Sequence, residues 1–148
     1  MASRLVTTAP QCPRPRRAPI ERALRAFFAD TRRGLIAAWL FGSVARGTTD
    51  ARSDVDVAVL FRRDPPRTLV GRQILMAADL EALLKRPVDL VVLNHAPCDL
   101  VHRVLRDGRL LLDRDPRSRV AFEVRRRAEY FDLKPYLDLY RRAPDRTS

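Results

Sequence analysis

Two aspartates one residue apart, Asp54 and Asp56, follow a Gly-Ser pair, Gly42 and Ser43, with ten residues between the serine and the first acid. If Asp54 to Phe61 is a strand, both carboxylates leave one face of it, about 6 to 7 Å apart along the backbone. Converging carboxylates repel one another unless a cation sits between them. An oxygen-only pair suits Mg²⁺, which takes one or two protein carboxylates and completes its shell from water and substrate phosphate. The implied substrate therefore carries phosphate. Gly42 and Ser43 supply the complementary half: a glycine at a strand end leaves room for close approach, and Ser43 can open a short helical turn through Arg46 whose free N–H groups face an anion. Ser43 also suits a helix N-cap, and Gly47 lets the chain turn away. Arg46 and Arg52 flank the site and read equally well as solvated loop arginines. Nucleotidyl transfer by two metal ions needs one more carboxylate near the attacking oxygen, and Asp89 in "PVDLVVL" is the candidate.

Elements that could position these groups follow from the apolar pattern. Ile20, Leu24, Phe27 and Phe28 recur at helical spacing, so residues 20–33 read as an amphipathic helix closed by Gly34. The run "LIAAWLF" is short enough for a buried strand, with Trp39 in the core. In the strand that follows, Val55, Val57, Val59 and Phe61 face the core, which leaves Asp54, Asp56 and Ala58 on an open side. Leu69, Ile74, Ala77, Leu80 and Leu84 lie on one face of a third helical segment that Pro87 ends. "VDLVVLN" reads as a strand whose acid shares the face of Asp54 and Asp56, "PCDLVHRVLRDG" as a helix and "RLLLD" as a short strand. A last helix, Arg117 to Arg142, carries Val120, Val124, Ala128 and Phe131 in line, and Pro135 is expected to kink or split it. The alternation predicts an α/β (α+β) domain with a small mixed sheet covered by helices.

Composition narrows the function classes. A chain of 148 residues with 46% hydrophobic content suits one ordinary domain, with residues 1–19, rich in Pro and Arg, as a flexible arm and residues 20–148 as the folded unit. The longest apolar run, Leu35 to Phe41, is far shorter than the roughly 20 residues of a spanning helix, and the N-terminus lacks the apolar core of a signal peptide. A cytoplasmic protein with no membrane partner is expected. Cys12 and Cys98 read as free thiols, and with only His95 and His102 beside them a zinc site is not expected. The net charge of +11 invites a nucleic-acid reading, but the excess sits at the two ends of the chain, and the segment from Ile36 to Phe61 is slightly acidic.

The stretch "GSVARGTTDARSDVD" resembles the signature of the DNA polymerase beta nucleotidyltransferase superfamily, Gly-Ser-x10-Asp-x-Asp, and the short length resembles its minimal nucleotidyltransferase (MNT) branch. The resemblance implies that fold, with Gly42 and Ser43 holding nucleotide phosphates, Asp54 and Asp56 binding both Mg²⁺ ions and Asp89 completing the site. It also implies an antitoxin of the HEPN–MNT type, which transfers AMP from ATP to a tyrosine of its partner toxin, an RNase. Two alternatives stand beside this: an antitoxin that neutralises by binding alone, and a transferase acting on a small molecule. Small-molecule transferases of the superfamily carry an additional helical domain, and only six residues follow Arg142. No segment reads as an adenine pocket, and no pocket for a small acceptor is evident.

Overall fold

β1 (Leu35–Phe41) is buried along its whole length except at Phe41, as a strand without one polar side chain must be, and it forms the centre of the fold. The computed structural model describes residues 17–31, 34–48, 52–66 and 70–142. Before β1 comes helix α1 (Arg17–Asp30), and after it a single turn, α2 (Gly42–Arg46). Strand β2 (Val55–Phe61), helix α3 (Val70–Leu84), strand β3 (Val88–Val92), helix α4 (Cys98–Asp107), strand β4 (Arg109–Asp113) and helix α5 (Pro116–Arg142) follow. The sheet runs β3-β2-β1-β4; β1 pairs antiparallel with β2 and with β4, and β2 pairs parallel with β3. The expected mixed sheet with helical cover is therefore present.

Both faces of the sheet are covered. On one, Ile20, Leu24 and Phe28 of α1 and Met76 and Leu80 of α3 pack over Leu40, Val55, Val57 and Val59. On the other, Val101 and Val104 of α4 and Phe122 of α5 pack over Trp39, Ala58 and Leu60. Each such side chain contributes about 1.5–3 kcal/mol when fully buried. The second layer corrects one expectation: Ala58 is fully buried, and the open side narrows to the strand end that carries the acids. Phase explains the difference. Asp54 and Asp56 lead a face that continues through Ala58 and Leu60, and the apolar part of that face is what α4 covers.

Other boundaries and faces shift in smaller ways. α1 begins at Arg17, with Pro19 in its first turn where the missing N–H costs nothing, so the folded unit starts before residue 20; the rest of the N-terminal arm, Cys12 included, lies outside the described residues. α1 ends at Asp30, before Gly34, and its last carbonyls accept from Arg114, whose Nη2 donates to Phe28 O at 2.8 Å and Ala29 O at 3.0 Å. α3 buries Leu80 and packs Ala77 and Leu84 against the core as expected, but Met76 is buried where Ile74, 59% exposed, was expected; Leu69 lies outside the described residues. α5 runs through Pro135 as one helix rather than two. Its Val120, Val124 and Phe131 do line up, but 46–62% exposed, while Phe122 and Tyr130 face the domain. Tyr130 stacks on His102 of α4 at 3.8 Å between ring centroids, and burial followed by the charge of Arg106 holds that imidazole below its ordinary pKa. Cys98 is a free thiol. Among the described residues no helix is long and apolar enough to cross a membrane.

Candidate active site

The register of three strand ends gathers the acids. Phe41, the last residue of β1, pairs with Asp56 of β2, and Asp56 pairs in turn with Asp89 of β3. Paired residues on neighbouring strands point to one side and lie about 4.8 Å apart, so Asp56 and Asp89 stand side by side. Asp54 precedes the first residue of β2 and shares their side. Backbone bonds hold this register: Val55 N donates to Pro87 O at 2.9 Å, and Arg86 Nη2 donates to Ser53 O at 2.7 Å, which ties the approach to Asp54 to the start of β3.

α2 closes the site from the β1 side. Gly42 has φ +70°, a left-handed conformation that favours glycine, and a Cβ built on it would fall 2.0 Å from Asp56 Oδ2. The space a side chain would take is thus filled by the Asp56 carboxylate. Ser43 lies inside the first turn and not at the N-cap, which is Phe41; no side chain caps this turn. Gly47, at φ +72°, ends it, and Arg17 Nη1 donates to Ala45 O at 3.1 Å, so α1 steadies α2 from outside.

A cleft of about 380 Å³ opens at this point, lined by Gly42, Ser43, Arg46, Asp56, Asp89 and Arg103, with Leu100 and Asp107 beside them. Burial, then the charges of Asp89 and Asp54, push the Asp56 carboxyl above its ordinary pKa, against the opposing pull of Arg46 and Arg103. Such a focus of negative charge is a place where a cation stabilises the protein. No three metal-ligating side chains among the described residues converge closely enough to enclose an ion unaided. That donor set fits Mg²⁺, which keeps several waters and takes oxygens from a bound phosphate. Of the residues singled out in the sequence, Gly42, Ser43, Arg46, Asp56 and Asp89 line the cleft; Asp54 and Arg52 do not, although the charge of Asp54 acts on Asp56. Arg103 was missed. Its signal was present: Leu100, Arg103 and Asp107 fall at i, i+3 and i+7, one face of α4, beside the stripe of the buried Val101 and Val104.

A second, larger cavity of about 900 Å³ lies beyond β3 and shares Asp89, Val91 and Leu100 with the cleft. No segment of the sequence had pointed to a cavity there. Its wall is held by Asn94, which exchanges hydrogen bonds with the backbone of Phe61 at 2.9 and 3.0 Å, and by His95, whose Nε2 lies 2.8 Å from Pro65 O.

Comparison with known proteins gives matches of different reach. The family described as "Polymerase beta, Nucleotidyltransferase" matches over residues 24–117, a span that contains every residue of the cleft. The protein adenylyltransferase MntA of Aphanizomenon flos-aquae (strain 2012/KM1/D3) is 33% identical over 81 residues, which cover 50% of this chain and 54% of that protein, so the match spans about half the relative's length. A chain from the crystal structure of a toxin–antitoxin with AMP-PNP is similar with a TM-score of 0.70 at 27% identity, over 81% of this chain and 94% of that one. A chain from the complex of tri-AMPylated Shewanella oneidensis HEPN toxin with MNT antitoxin reaches 0.66 over 84% and 94%, at 23% identity, a likeness of fold.

Proposed function

Because the chain belongs to the polymerase beta nucleotidyltransferase family, we propose that it is an antitoxin that transfers AMP from ATP to a tyrosine hydroxyl of a cognate HEPN RNase toxin. The observation that carries this reading is the pairing of Asp56 with Asp89, next to Asp54, in one cleft with Ser43 and Arg46. The relatives support it: the MntA protein is named for protein adenylyl transfer, and the neighbour at 27% identity is a toxin–antitoxin with an ATP analogue. ATP as donor places the reaction in the cytoplasm.

In this reading Ser43, Arg46 and the free amides of α2 hold the triphosphate, and Arg103 meets it from α4. Gly42 admits the Asp56 carboxylate to the edge of that phosphate site. Asp54, Asp56 and Asp89 would hold a pair of Mg²⁺ ions, which when bound neutralise phosphate charge and make the acceptor hydroxyl easier to deprotonate. The phenolic oxygen forms a bond to the α-phosphorus, the bond from that phosphorus to the α,β-bridging oxygen breaks, and pyrophosphate leaves. The phenolic proton departs to water at the exposed side of Asp89. A phenol suits the task, since its pKa of about 10 is nearer neutrality than that of an aliphatic alcohol.

Incubation of the purified pair with ATP and Mg²⁺ tests the proposal, with the toxin's intact mass as readout. The expected result is a mass increase by whole AMP units and a parallel loss of RNase activity. Suppressed RNase activity without added AMP would instead assign neutralisation to binding alone.

A further inference from the structure

Asp54 is the one acid of the three that stands outside the sheet: β2 begins at Val55, whereas Asp56 and Asp89 are paired within the β2–β3 ladder. Resting on the function proposed above, we infer that Arg86 is the positioning residue of Asp54, because its guanidinium supplies a ladder bond that Pro87 cannot make.

The phase of the ladder fixes where that bond falls. Leu93 N donates to Val59 O at one end of the strand pair, and Pro87 O accepts from Val55 N at the other, both at 2.9 Å. Pro87, Asp89, Val91 and Leu93 therefore turn their backbone groups toward β2. In a parallel pair each such residue accepts from one N–H of the neighbouring strand and donates to the carbonyl two residues before it. Pro87 accepts from Val55, so the matching donation would go to Ser53 O. Proline has no N–H to give. Arg86 Nη2 takes that place, donating to Ser53 O at 2.7 Å. Asp54 is thus bracketed, with Ser53 held by Arg86 and Val55 by Pro87.

The turn that presents Arg86 is itself pinned. Lys85, directly after α3, has φ +52°, the left-handed conformation in which helices commonly end and which usually falls to glycine. Lys85 N donates to Glu81 O at 2.8 Å, and Val88 N donates to Glu81 Oε1 at 3.1 Å. Both ends of the turn are tied to α3, and the half-buried Arg86 lies between them. Asp89 follows two residues after Pro87, so this one turn sets both Asp54 and Asp89 relative to Asp56.

A latch that only held the fold together would weaken nucleotide binding alike with and without metal. A residue that places a metal ligand acts on the metal-dependent part alone, and loss of such an outer partner costs about 10–100-fold in metal affinity.

The test uses the full chain and α,β-methylene ATP, which cannot transfer AMP, titrated calorimetrically with and without Mg²⁺. Arg86→Ala is expected to cut the gain in nucleotide affinity that Mg²⁺ brings by at least about tenfold, with affinity in the absence of Mg²⁺ close to that of wild type. In the metal-free protein the Val55 amide should exchange its hydrogen faster. Pro87→Ala restores a backbone N–H at that position, so Arg86→Ala/Pro87→Ala is expected to recover both the Mg²⁺ gain and the slow exchange. Arg86→Lys, a donor with a compact head on a flexible stem, should fall between, and it replaces Arg86→Ala if that variant fails to melt cooperatively. An unchanged Mg²⁺ gain in the Arg86 variant would overturn the inference. So would an equal loss of affinity with and without Mg²⁺, and so would failure of Pro87→Ala to restore what the first substitution removed. A wild type that binds the nucleotide equally well with and without Mg²⁺ would instead overturn the metal-dependent transfer reading on which the inference rests.

Discussion

Replacing Gly42 by alanine separates two accounts of why a glycine stands there. If it only clears the way for a phosphate, the folded apo domain should barely notice one methyl group. The structure places that methyl 2.0 Å from Asp56 Oδ2, 2.9 Å from its Cγ and 3.2 Å from its Cβ. To reach an ordinary contact of 3.4 Å the carboxylate oxygen must retreat by about 1.4 Å. A displacement of about 1 Å in a positioned group costs on the order of 100-fold in rate, so kcat for AMP transfer should fall by at least that factor. The φ of +70° adds a backbone penalty of about 1–3 kcal/mol for any residue with a Cβ. At roughly 2–4 °C per kcal/mol for a chain of this size, the melting temperature of the nucleotide-free protein should drop by several degrees.

A double-mutant cycle isolates the steric part. In an Asp56→Ala background the Oδ2 and Cγ atoms are gone and only the 3.2 Å contact to Cβ remains. Gly42→Ala should therefore lower the melting temperature less there than in the wild type, by the backbone share alone. Equal losses in the two backgrounds, or a Gly42→Ala protein with wild-type transfer rate, would refute the claim that Gly42 exists to admit Asp56.

Asp56→Asn should raise the stability of the metal-free protein: carboxylates about 5 Å apart repel by roughly 1–3 kcal/mol, and exposure of this strand end favours the lower figure. The same change should abolish the Mg²⁺ enhancement of ATP binding that calorimetry is expected to show for the wild type. Glu21 sits among Arg17, Arg25 and Arg109, joining α1 to β4; burial pushes its carboxyl up, but hydrogen bonds from Arg25 and Arg109 outweigh this and hold it below the usual value of 4.5. Its stabilisation is then full above pH about 4.5 and is lost as pH falls through the lower folded value, so Glu21→Gln should melt earlier than wild type at pH 7, with the gap closing well below pH 4.5. On α5, Val120→Glu/Val124→Glu should leave the melting temperature nearly unchanged, because these side chains are 46% and 62% exposed, and should weaken toxin binding at least tenfold; undiminished affinity in a pull-down titration would show that the stripe docks something else. Truncation before Tyr130 would be a poorer test, since it removes the ring that stacks on His102.

The acids were legible in the sequence because a covalent length fixes them. Phe41 and Asp56 pair across antiparallel strands, so residues 42–55 form the whole connection, and the ten residues between Ser43 and Asp54 are what one helical turn and a return to register require. Asp89 was legible for a similar reason: in Val88–Val92 a single acid breaks an apolar strand, and its partner in the parallel ladder is Asp56. The buried side of β2 was misread where Ala58 follows two acids, since alanine carries too little apolar signal to reveal that α4 lies on it. The stripe on α5 was legible as a period but not as a side, because helical spacing fixes which residues align and not which line faces the domain. The cavity beyond β3 left no mark of this kind. It is assembled from the loop after β2, one face of α3, the edge of β3 and the start of α4, segments with no shared period, and its exposed arginines, Arg63 and Arg72, look like any solvated pair. Phosphate and metal chemistry is the same for every nucleotidyltransferase and so is written as a fixed motif, whereas the acceptor side has to match one partner.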